Sequence, residues 1–314
     1  MSGVTLVLLD SASLYFRAFF GVPESVTAPD GTPVNAVRGF TDTVARIITE
    51  RHPSRLVACL DADWRPAFRV ALLPSYKAHR LADEAANEEV VPDTLSPQVP
   101  IILEVLAAAG IATAEAAGHE ADDVIGTLTA RERKDPVEAI TGDRDLFQIV
   151  RDEPTRARVI YVGKGWQRAE VLGPAELAAK YDLPEIETGP AYADMALLRG
   201  DPSDGLPGVP GIGEKTAAKL LTEFGSLTGL LEATVAGDRR VPPRVAVKLA
   251  EAADYLTKAP GVVRVVTDAT IVFSGPDDVP RAPADPERLA ALAETWGLTS
   301  AVRRLTEAMA ANRR

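Results

Sequence analysis

The sequence predicts an α/β protein in which a parallel sheet flanked by helices precedes a mostly helical module. Short apolar runs that end at an aspartate alternate with stretches of helical spacing up to about residue 140. After about residue 173 the apolar residues recur mostly at helical spacing. We therefore expect two domains, covering residues 1–172 and 173–314.

The elements can be predicted in order along the chain. Apolar runs predict strands at 4–9, 55–60 and 137–140, and helical spacing predicts helices at 34–51, 97–109 and 120–132. Residues 64–96 are rich in charged and aromatic side chains and predict a mobile, partly helical excursion, or arch. Further helices are expected at 174–180, 186–198, 214–223, 243–257 and 286–310, with extended backbone at 262–266.

Composition restricts the class of protein. The chain has 314 residues, 46% of them hydrophobic, and no apolar run approaches the roughly 20 residues of a membrane span. Its single cysteine, Cys59, excludes an intrachain disulfide and favours a cytoplasmic protein. The net charge of −11 argues against a simple basic nucleic-acid binder, unless bound cations compensate a cluster of acids.

Carboxylates follow the ends of the predicted strands. Because the carboxyl ends of parallel strands meet at one edge of a sheet, we expect these side chains to converge there. Packed carboxylates repel one another unless cations lie between them, and Mg²⁺ and Mn²⁺ prefer such oxygen ligands. For any single aspartate the alternative is a helix cap or a turn. The acids are Asp10, Asp61, Glu120, Asp122, Asp123, Asp143, Asp145, Asp201 and Asp204.

A glycine-rich turn runs from residue 208 to residue 213 and leads into a predicted helix. Glycine lets the backbone approach a partner, and a helix N-terminus behind such a turn attracts anions. Lys215, Thr216 and Lys219 follow directly. The turn therefore predicts a phosphate grip, and beside carboxylates it favours an enzyme acting on a nucleic-acid backbone.

Cationic and aromatic residues near the predicted sheet edge are further candidates. Lys77 and Arg80 could neutralise charge on a phosphate, and Tyr76 could stack on a base. The alternative for this patch is a solvated loop. Asp61 and Asp63 also form the D-x-D pattern of aspartyl-phosphate enzymes, but the hydroxyl residue expected to follow is missing.

Four ordered motifs resemble the bacterial and phage 5′-3′ exonuclease and flap endonuclease family, which includes the nuclease module of DNA polymerase I. They are EADD at 120–123, TGDRDLFQ at 141–148, YKAHR at 76–80, and GDPSD at 200–204 leading to GVPGIGEKTA at 208–217. The resemblance covers roughly residues 4–310. It implies a sheet domain of the PIN and flap-endonuclease type, with an arch near residues 64–96, and a helix-three-turn-helix module that grips duplex DNA.

The resemblance also implies roles for individual residues. Asp10, Asp61, Glu120, Asp122 and Asp123 would form one metal site or its outer shell, and Asp143, Asp145, Asp201 and Asp204 the neighbouring one, for two or three Mg²⁺ or Mn²⁺ ions. Lys77 and Arg80 would act at the scissile phosphate. DNA would be contacted by Arg17, Arg69, Tyr76, Gly211, Gly213, Lys215, Thr216 and Lys219, and carbonyls of Val209 and Ile212 would hold potassium.

Two residues depart from the family pattern. Gly205 stands where relatives usually carry Asn, which could alter the preference for a metal, and His79 stands where relatives often have Gly. All nine acids are nevertheless present, as expected of an active enzyme.

The resemblance implies a monomeric, nucleoid-associated 5′ nuclease of DNA replication, repair and primer removal. It would cut DNA by metal-dependent hydrolysis at 5′ flaps, nicks or ends, leaving 5′-phosphates, and would also accept RNA–DNA hybrids. Two other classes stay open. A DNA-junction binder without activity would bind flaps and release no product, and a ribonuclease on the same sheet would prefer RNA in competition.

Overall fold

The computed structural model describes residues 5–83 and 88–312. Its principal sheet has seven strands in the order β8-β7-β6-β1-β2-β5-β9, and β3 and β4 form a separate antiparallel pair. The strands are β1 Leu6–Asp10, β2 Arg55–Cys59, β3 Leu81–Asp83, β4 Glu88–Glu89, β5 Ala112–Glu115, β6 Val137–Thr141, β7 Ala157–Tyr161, β8 Glu170–Leu172 and β9 Val272–Phe273.

The sheet is parallel at its centre and antiparallel at its edges. Strands β7, β6, β1, β2 and β5 pair in parallel, whereas β8 and β9 join the two edges in antiparallel register. The predicted parallel sheet is thus confirmed in its core and becomes a mixed sheet through its two edge strands.

Helices cover both faces of the sheet. They are α1 Ser11–Gly21, α2 Asn35–Arg51, α3 Ala67–Leu72, α4 Gln98–Ala109, α5 Ala121–Arg131, α6 Pro174–Tyr181, α7 Thr188–Arg199, α8 Glu214–Phe224, α9 Leu227–Val235, α10 Pro243–Glu251, α11 Ala253–Lys258, α12 Pro260–Val263, α13 Pro286–Thr295 and α14 Thr299–Ala311. Strand β1 shows why two layers form. Leu6 and Leu8 belong to one apolar cluster, and Val7 and Leu9 belong to the other. A central strand buried on both faces is continuously apolar.

The chain after α12 returns to the sheet. Strand β9 pairs with β5, and α14 packs along α2. The last segment of the predicted second domain, 173–314, therefore packs on the sheet and on α2. The extended backbone predicted at 262–266 is wrong at its start, which belongs to helix α12. The helix predicted at 286–310 is interrupted at Gly297, whose φ is +64°.

The predicted arch contains little regular structure. Helix α3 is followed by a short 3₁₀ turn, Ala78–Arg80, and by β3 and β4. Residues 84–87 of this arch lie outside the described residues. Within the described ranges, no helix has the length and apolar character needed to cross a membrane.

Candidate active site

Acidic residues follow the carboxyl ends of four adjacent strands, β6, β1, β2 and β5. Asp10 ends β1, and Asp61 comes two residues after β2. The pair Asp143 and Asp145 follows β6, while Glu120, Asp122 and Asp123 lie where the chain leaves β5 and enters α5. Since four neighbouring parallel strands point the same way, these acids share one edge of the sheet.

The remaining two acids come from a turn after α7. Asp201 and Leu206 close this turn by exchanging backbone hydrogen bonds of 3.0 and 2.8 Å. A cavity of about 20 Å³ is lined by acids from both sides, namely Glu120, Asp122, Asp145, Asp201 and Asp204. This volume is comparable with that of a water molecule or a single ion. Glu120 and Asp204, which are 84 positions apart in the chain, thus face one small space.

Burial and mutual repulsion raise the pKa values of carboxylates at this acidic edge. Burial, together with the charges of Asp61 and Asp143, raises the pKa of Asp10 to about 7, against the hydrogen bond from Thr141. Burial also holds the pKa of Asp122 well above its usual range, and the Asp10 and Asp143 charges add to this.

The pKa of Asp145, which also lines the cavity, is raised for the same reasons. Burial and the charges of Asp143 and Asp204 raise the pKa of Asp145 well above its ordinary value. A cation placed among these carboxylates would relieve the repulsion.

Hydrogen bonds orient the acids at the ends of β1 and β6. Thr141 Oγ1 donates to Asp10 Oδ2 at 2.6 Å and accepts from the Asp143 N–H at 2.8 Å. Asp10 Oδ1 also accepts from Ser13 N–H at 3.2 Å, which caps α1. Asp61 Oδ1 accepts from Ala121 N–H at 2.6 Å, at the start of α5. Each helix start therefore positions a candidate ligand.

Arg69, a predicted DNA contact, is held by the protein in this structure. Its side chain is 3% exposed, and its guanidinium donates to Asp123 Oδ1 and Oδ2 at 2.6 and 2.9 Å and to Glu120. Its Nε donates to the Val262 carbonyl at 2.9 Å. Arg69 therefore ties the base of the arch to α5 and α12, and a contact with DNA would require this network to open.

Tyr76, another predicted contact, is also enclosed in this structure. It is 4% exposed and packs against Leu206 and Val262, and its hydroxyl donates to Glu120 Oε2 at 2.7 Å. Stacking of a base on this ring would require its neighbours to move. Sequence reasoning did not predict the burial of Tyr76, because an aromatic in a charged loop gives no local sign of it.

Glu120 and Asp123 are occupied by protein donors. Glu120 accepts from Arg69, Tyr76 and Lys77, and Asp123 is fully buried and also accepts from Val266 N–H at 2.9 Å. Of the two predicted roles, metal ligand or outer-shell residue, this geometry favours the outer-shell role, because their oxygens already have partners.

The two predicted catalytic cations lie on the acidic edge. Lys77 Nζ pairs with Glu120, and Arg80 Nη2 lies 3.1 Å from Asp204 Oδ1. The Lys77 N–H donates to the Asp204 carbonyl at 3.0 Å. Gly205 explains this close approach: its φ is +71°, and a Cβ there would lie 2.2 Å from the Ser75 carbonyl oxygen. Glycine at 205 thus lets the acidic turn press against the loop that carries Lys77.

The predicted duplex grip forms a surface of its own. Gly211, Gly213, Lys215, Thr216 and Lys219 are all exposed around the N-terminus of α8. By contrast, the side chains of Val209 and Ile212 are buried, and the Val209 carbonyl accepts from Ile212 N–H at 2.9 Å. Arg17, on α1, lies against the loop before Asp143, since a Cβ on Gly142 would meet its Cδ at 2.7 Å.

The donor set suits hard divalent cations. Asp10, Asp61, Asp122, Asp143, Asp145, Asp201 and Asp204 offer carboxylate oxygens, the ligands that Mg²⁺ and Mn²⁺ prefer. Between residues 5–83 and 88–312, no three His, Cys, Asp or Glu side chains form a group that could hold a metal ion as they stand. Ion binding at this edge would therefore draw the carboxylates inward.

Sequence reasoning missed two positioning residues. Thr141 links Asp10 to Asp143, as described above. Its position as the hydroxyl residue of TGD, at the end of a predicted strand, could have indicated this role. Arg65 is 8% exposed, and its guanidinium donates to the carbonyls of Tyr76 and Pro74 at 2.6 and 3.0 Å. It shapes the loop before Lys77, and no local pattern distinguishes it from a solvated arginine.

Family models and curated relatives match most of the chain. The family model for the 5′-3′ exonuclease N-terminal resolvase-like domain matches residues 5–182, and that for the 5′-3′ exonuclease C-terminal SAM fold matches residues 188–287. The chain is 56% identical over 311 residues to a 5′-3′ exonuclease of Mycobacterium tuberculosis, with 97% of both chains covered. It is 54% identical over 308 residues to one of Streptomyces coelicolor, covering 97% of this chain and 100% of that one.

More distant similarities agree on the architecture. The chain is 41% identical over 231 residues to DNA polymerase I of M. tuberculosis, a match that spans 73% of this chain and 24% of the polymerase. The solved structure of T5 5′-exonuclease with bound zinc superposes with a TM-score of 0.62 at 15% identity, over 97% of this chain and 98% of that one. The fold thus has a counterpart in T5 5′-exonuclease, and by its family models and relatives the chain belongs to the 5′-3′ exonuclease family.

Proposed function

We propose that this protein is a divalent-metal-dependent 5′ nuclease that hydrolyses DNA at 5′ flaps, nicks and 5′ ends of branched or nicked duplexes. The observation that carries the proposal is the convergence of seven mutually repelling carboxylates on the edge of the sheet beside two cations. Removal of RNA primers would make RNA–DNA hybrids substrates as well. We propose that it acts as a monomer in DNA replication and repair.

Two or three Mg²⁺ or Mn²⁺ ions would be held by this edge. Asp10, Asp61 and Asp122 would serve one position, and Asp143, Asp145, Asp201 and Asp204 the neighbouring one. When bound, such ions activate a water nucleophile and stabilise the charge on the leaving oxygen. Glu120 and Asp123 would belong to the outer shell of the metal site, because Arg69 pairs with both and Lys77 pairs with Glu120.

Lys77 and Arg80 supply positive charge to the scissile phosphate. Each now pairs with a carboxylate of the edge, Lys77 with Glu120 and Arg80 with Asp204. An ammonium or guanidinium held in this way needs only a small movement to reach a phosphate oxygen. Charge-assisted hydrogen bonds to phosphate are among the stronger interactions of proteins. Arg17, beside the loop that carries Asp143, adds a third cation.

The turn before α8 would hold the duplex away from the cut. Its exposed glycines allow close approach of a phosphate, and the α8 N-terminus favours negative charge. Lys215 and Lys219 lie four residues apart, on one side of α8, with Thr216 beside them. We propose that carbonyls of Val209 and Ile212 add a potassium ion to this grip, since the exposed Gly211 and Gly213 flank Ile212 and a carbonyl oxygen that accepts one hydrogen bond keeps a second lone pair.

The test uses a 5′-labelled double-flap DNA with Mg²⁺, Mn²⁺ or EDTA. Wild-type protein should release a short product near the junction in either metal and none in EDTA. Asp143→Ala should bind the flap with similar affinity and cut it slower by orders of magnitude. Asp254→Ala is the matched control, because Asp254 is an exposed aspartate that pairs with Lys258 on its own helix. Tight binding without product in either metal would overturn the proposal, as would wild-type cleavage by Asp143→Ala.

A further inference from the structure

Part of the wall of the small cavity at the acidic edge is apolar and comes from the end of α12 and the residues just beyond it. Val262, Val263 and Val265 line this cavity, as does Asp145. We call residues 262–266, whose sequence is VVRVV, the valine strap. The function proposed above uses no residue of the valine strap.

The two ends of the valine strap are held from the arch and from α5. Arg69 Nε donates to the Val262 carbonyl at 2.9 Å, and Asp123 Oδ1 accepts from Val266 N–H at 2.9 Å. Because Arg69 and Asp123 are also paired with each other, the ends of the strap belong to one buried network. This network lies on the side of the strap that faces Glu120.

The middle of the valine strap is held by Gln148. Its Oε1 accepts from Val265 N–H at 3.0 Å, and its Nε2 donates to the Val263 carbonyl at 3.0 Å. The same Nε2 donates to the Asp145 carbonyl at 2.8 Å. A glutamine amide has one oxygen acceptor and two N–H donors, so Gln148 uses its oxygen and both of its donors in these contacts.

These three hydrogen bonds join a candidate metal ligand to the wall of the cavity that it lines. Asp145, Val263 and Val265 all border the same volume of about 20 Å³. A space of this size has room for about one water molecule or ion. Mg²⁺ demands near-ideal octahedral geometry with short bonds to oxygen, so a small shift of one carboxylate changes how well it is bound.

We propose that Gln148 is a positioning residue of the metal site, which fixes Asp145 against the valine strap. The inference rests on the proposed function, because Asp145 must hold a divalent ion there. Gln148 acts through the backbone of Asp145 and through the strap, and needs no contact with the ion or with the DNA. Hydrogen-bonding partners that orient metal ligands typically change the affinity for the metal by about 10–100-fold when they are replaced.

The experiment measures the binding of Mn²⁺ to DNA-free protein by electron paramagnetic resonance, in which the free ion gives the signal. Gln148→Met removes all three hydrogen bonds and fills the same space with an unbranched, flexible side chain. It should bind Mn²⁺ about tenfold more weakly than wild type. The concentration of Mg²⁺ that gives half-maximal flap cleavage should rise in parallel, while the rate at saturating Mg²⁺ changes little.

Thr127→Val is the matched control, because it breaks the hold on the valine strap at another place. Thr127 on α5 is fully buried, and its Oγ1 donates to the Val266 carbonyl at 3.1 Å and accepts from Ala269 N–H at 3.2 Å. Valine removes both hydrogen bonds and keeps a branched side chain of similar size. Thr127→Val should lower the melting temperature at least as much as Gln148→Met. Its binding of Mn²⁺ should nevertheless equal that of wild type.

Equal binding of Mn²⁺ by wild type and Gln148→Met would overturn the proposal. Equal weakening by Gln148→Met and Thr127→Val would also overturn it, because the effect would then follow from any loss of order in the valine strap.

A measurement without metal keeps this inference distinct from the proposed function. In EDTA, amide hydrogen exchange followed by mass spectrometry should be faster at residues 143–149 in Gln148→Met and unchanged there in Thr127→Val. If wild-type protein binds no Mn²⁺ and cuts no DNA, the nuclease proposal fails, and this exchange alone decides whether Gln148 holds the loop of Asp145. Unchanged exchange at these residues in Gln148→Met would refute the positioning role.

Discussion

Replacing Arg69 by methionine should destabilise the protein strongly. Arg69 and Asp123 have side chains 3% and 0% exposed, so the substitution leaves a carboxylate buried without its cation. Glu120 keeps Lys77 and Tyr76, and Asp123 keeps the Val266 N–H. The uncompensated charge is therefore chiefly that of Asp123. Breaking one side of such a buried pair costs about 3–5 kcal/mol.

Urea unfolding measured by circular dichroism gives the free energy of unfolding for this comparison. Arg69→Met should lose about 3 kcal/mol or more. Arg69→Lys should lose less, because lysine keeps the charge but cannot make the same fork of hydrogen bonds. Arg288→Met is the control, since Arg288 and Glu104 are about half-exposed and such pairs contribute up to about 1 kcal/mol. Equal losses for Arg69→Met and Arg288→Met would refute this reasoning.

Three further predictions concern the acidic edge. In the folded protein the pKa of Asp10 is raised from 3.8 to about 7, so wild-type protein loses stability as the pH rises through this interval. In EDTA, the stability of Asp10→Asn relative to wild type should therefore increase from about pH 4 to about pH 7 and stay constant above about pH 7. A difference in stability that does not change with pH would contradict this. Gly205→Ala should lower stability more than Gly237→Ala, because both have positive φ but only Gly205 approaches Ser75, and equal losses in thermal melts would argue against a steric role. Mg²⁺ or Mn²⁺ should stabilise wild-type protein by about 2.7 kcal/mol at a hundredfold excess over Kd, reversibly with EDTA, and an unchanged melting temperature would speak against metal binding.

The parallel core of the fold was predictable because its strands are marked locally. Strands β1, β2 and β6 are apolar runs followed by an acid or by TGD, and their neighbours in the sheet are parallel. Strand β5, by contrast, consists of Ala112–Glu115 and lacks a continuous apolar run. Strand β9 has two residues and exists only through its pairing with β5. Both strands are defined by their partners, which lie far away in sequence.

The candidate site shows the same division between local and distant information. The sequence by itself determined that acids end neighbouring strands, because strand direction and spacing are local properties, and it located the glycine turn before α8 for the same reason. Only the tertiary structure decided which polar residues are occupied by the protein. The partners of Arg69 are 51 to 195 positions away in the chain, and the partner of Tyr76 is 44 away. Burial depends on how distant segments pack, so the sequence alone could not show that these two side chains are buried.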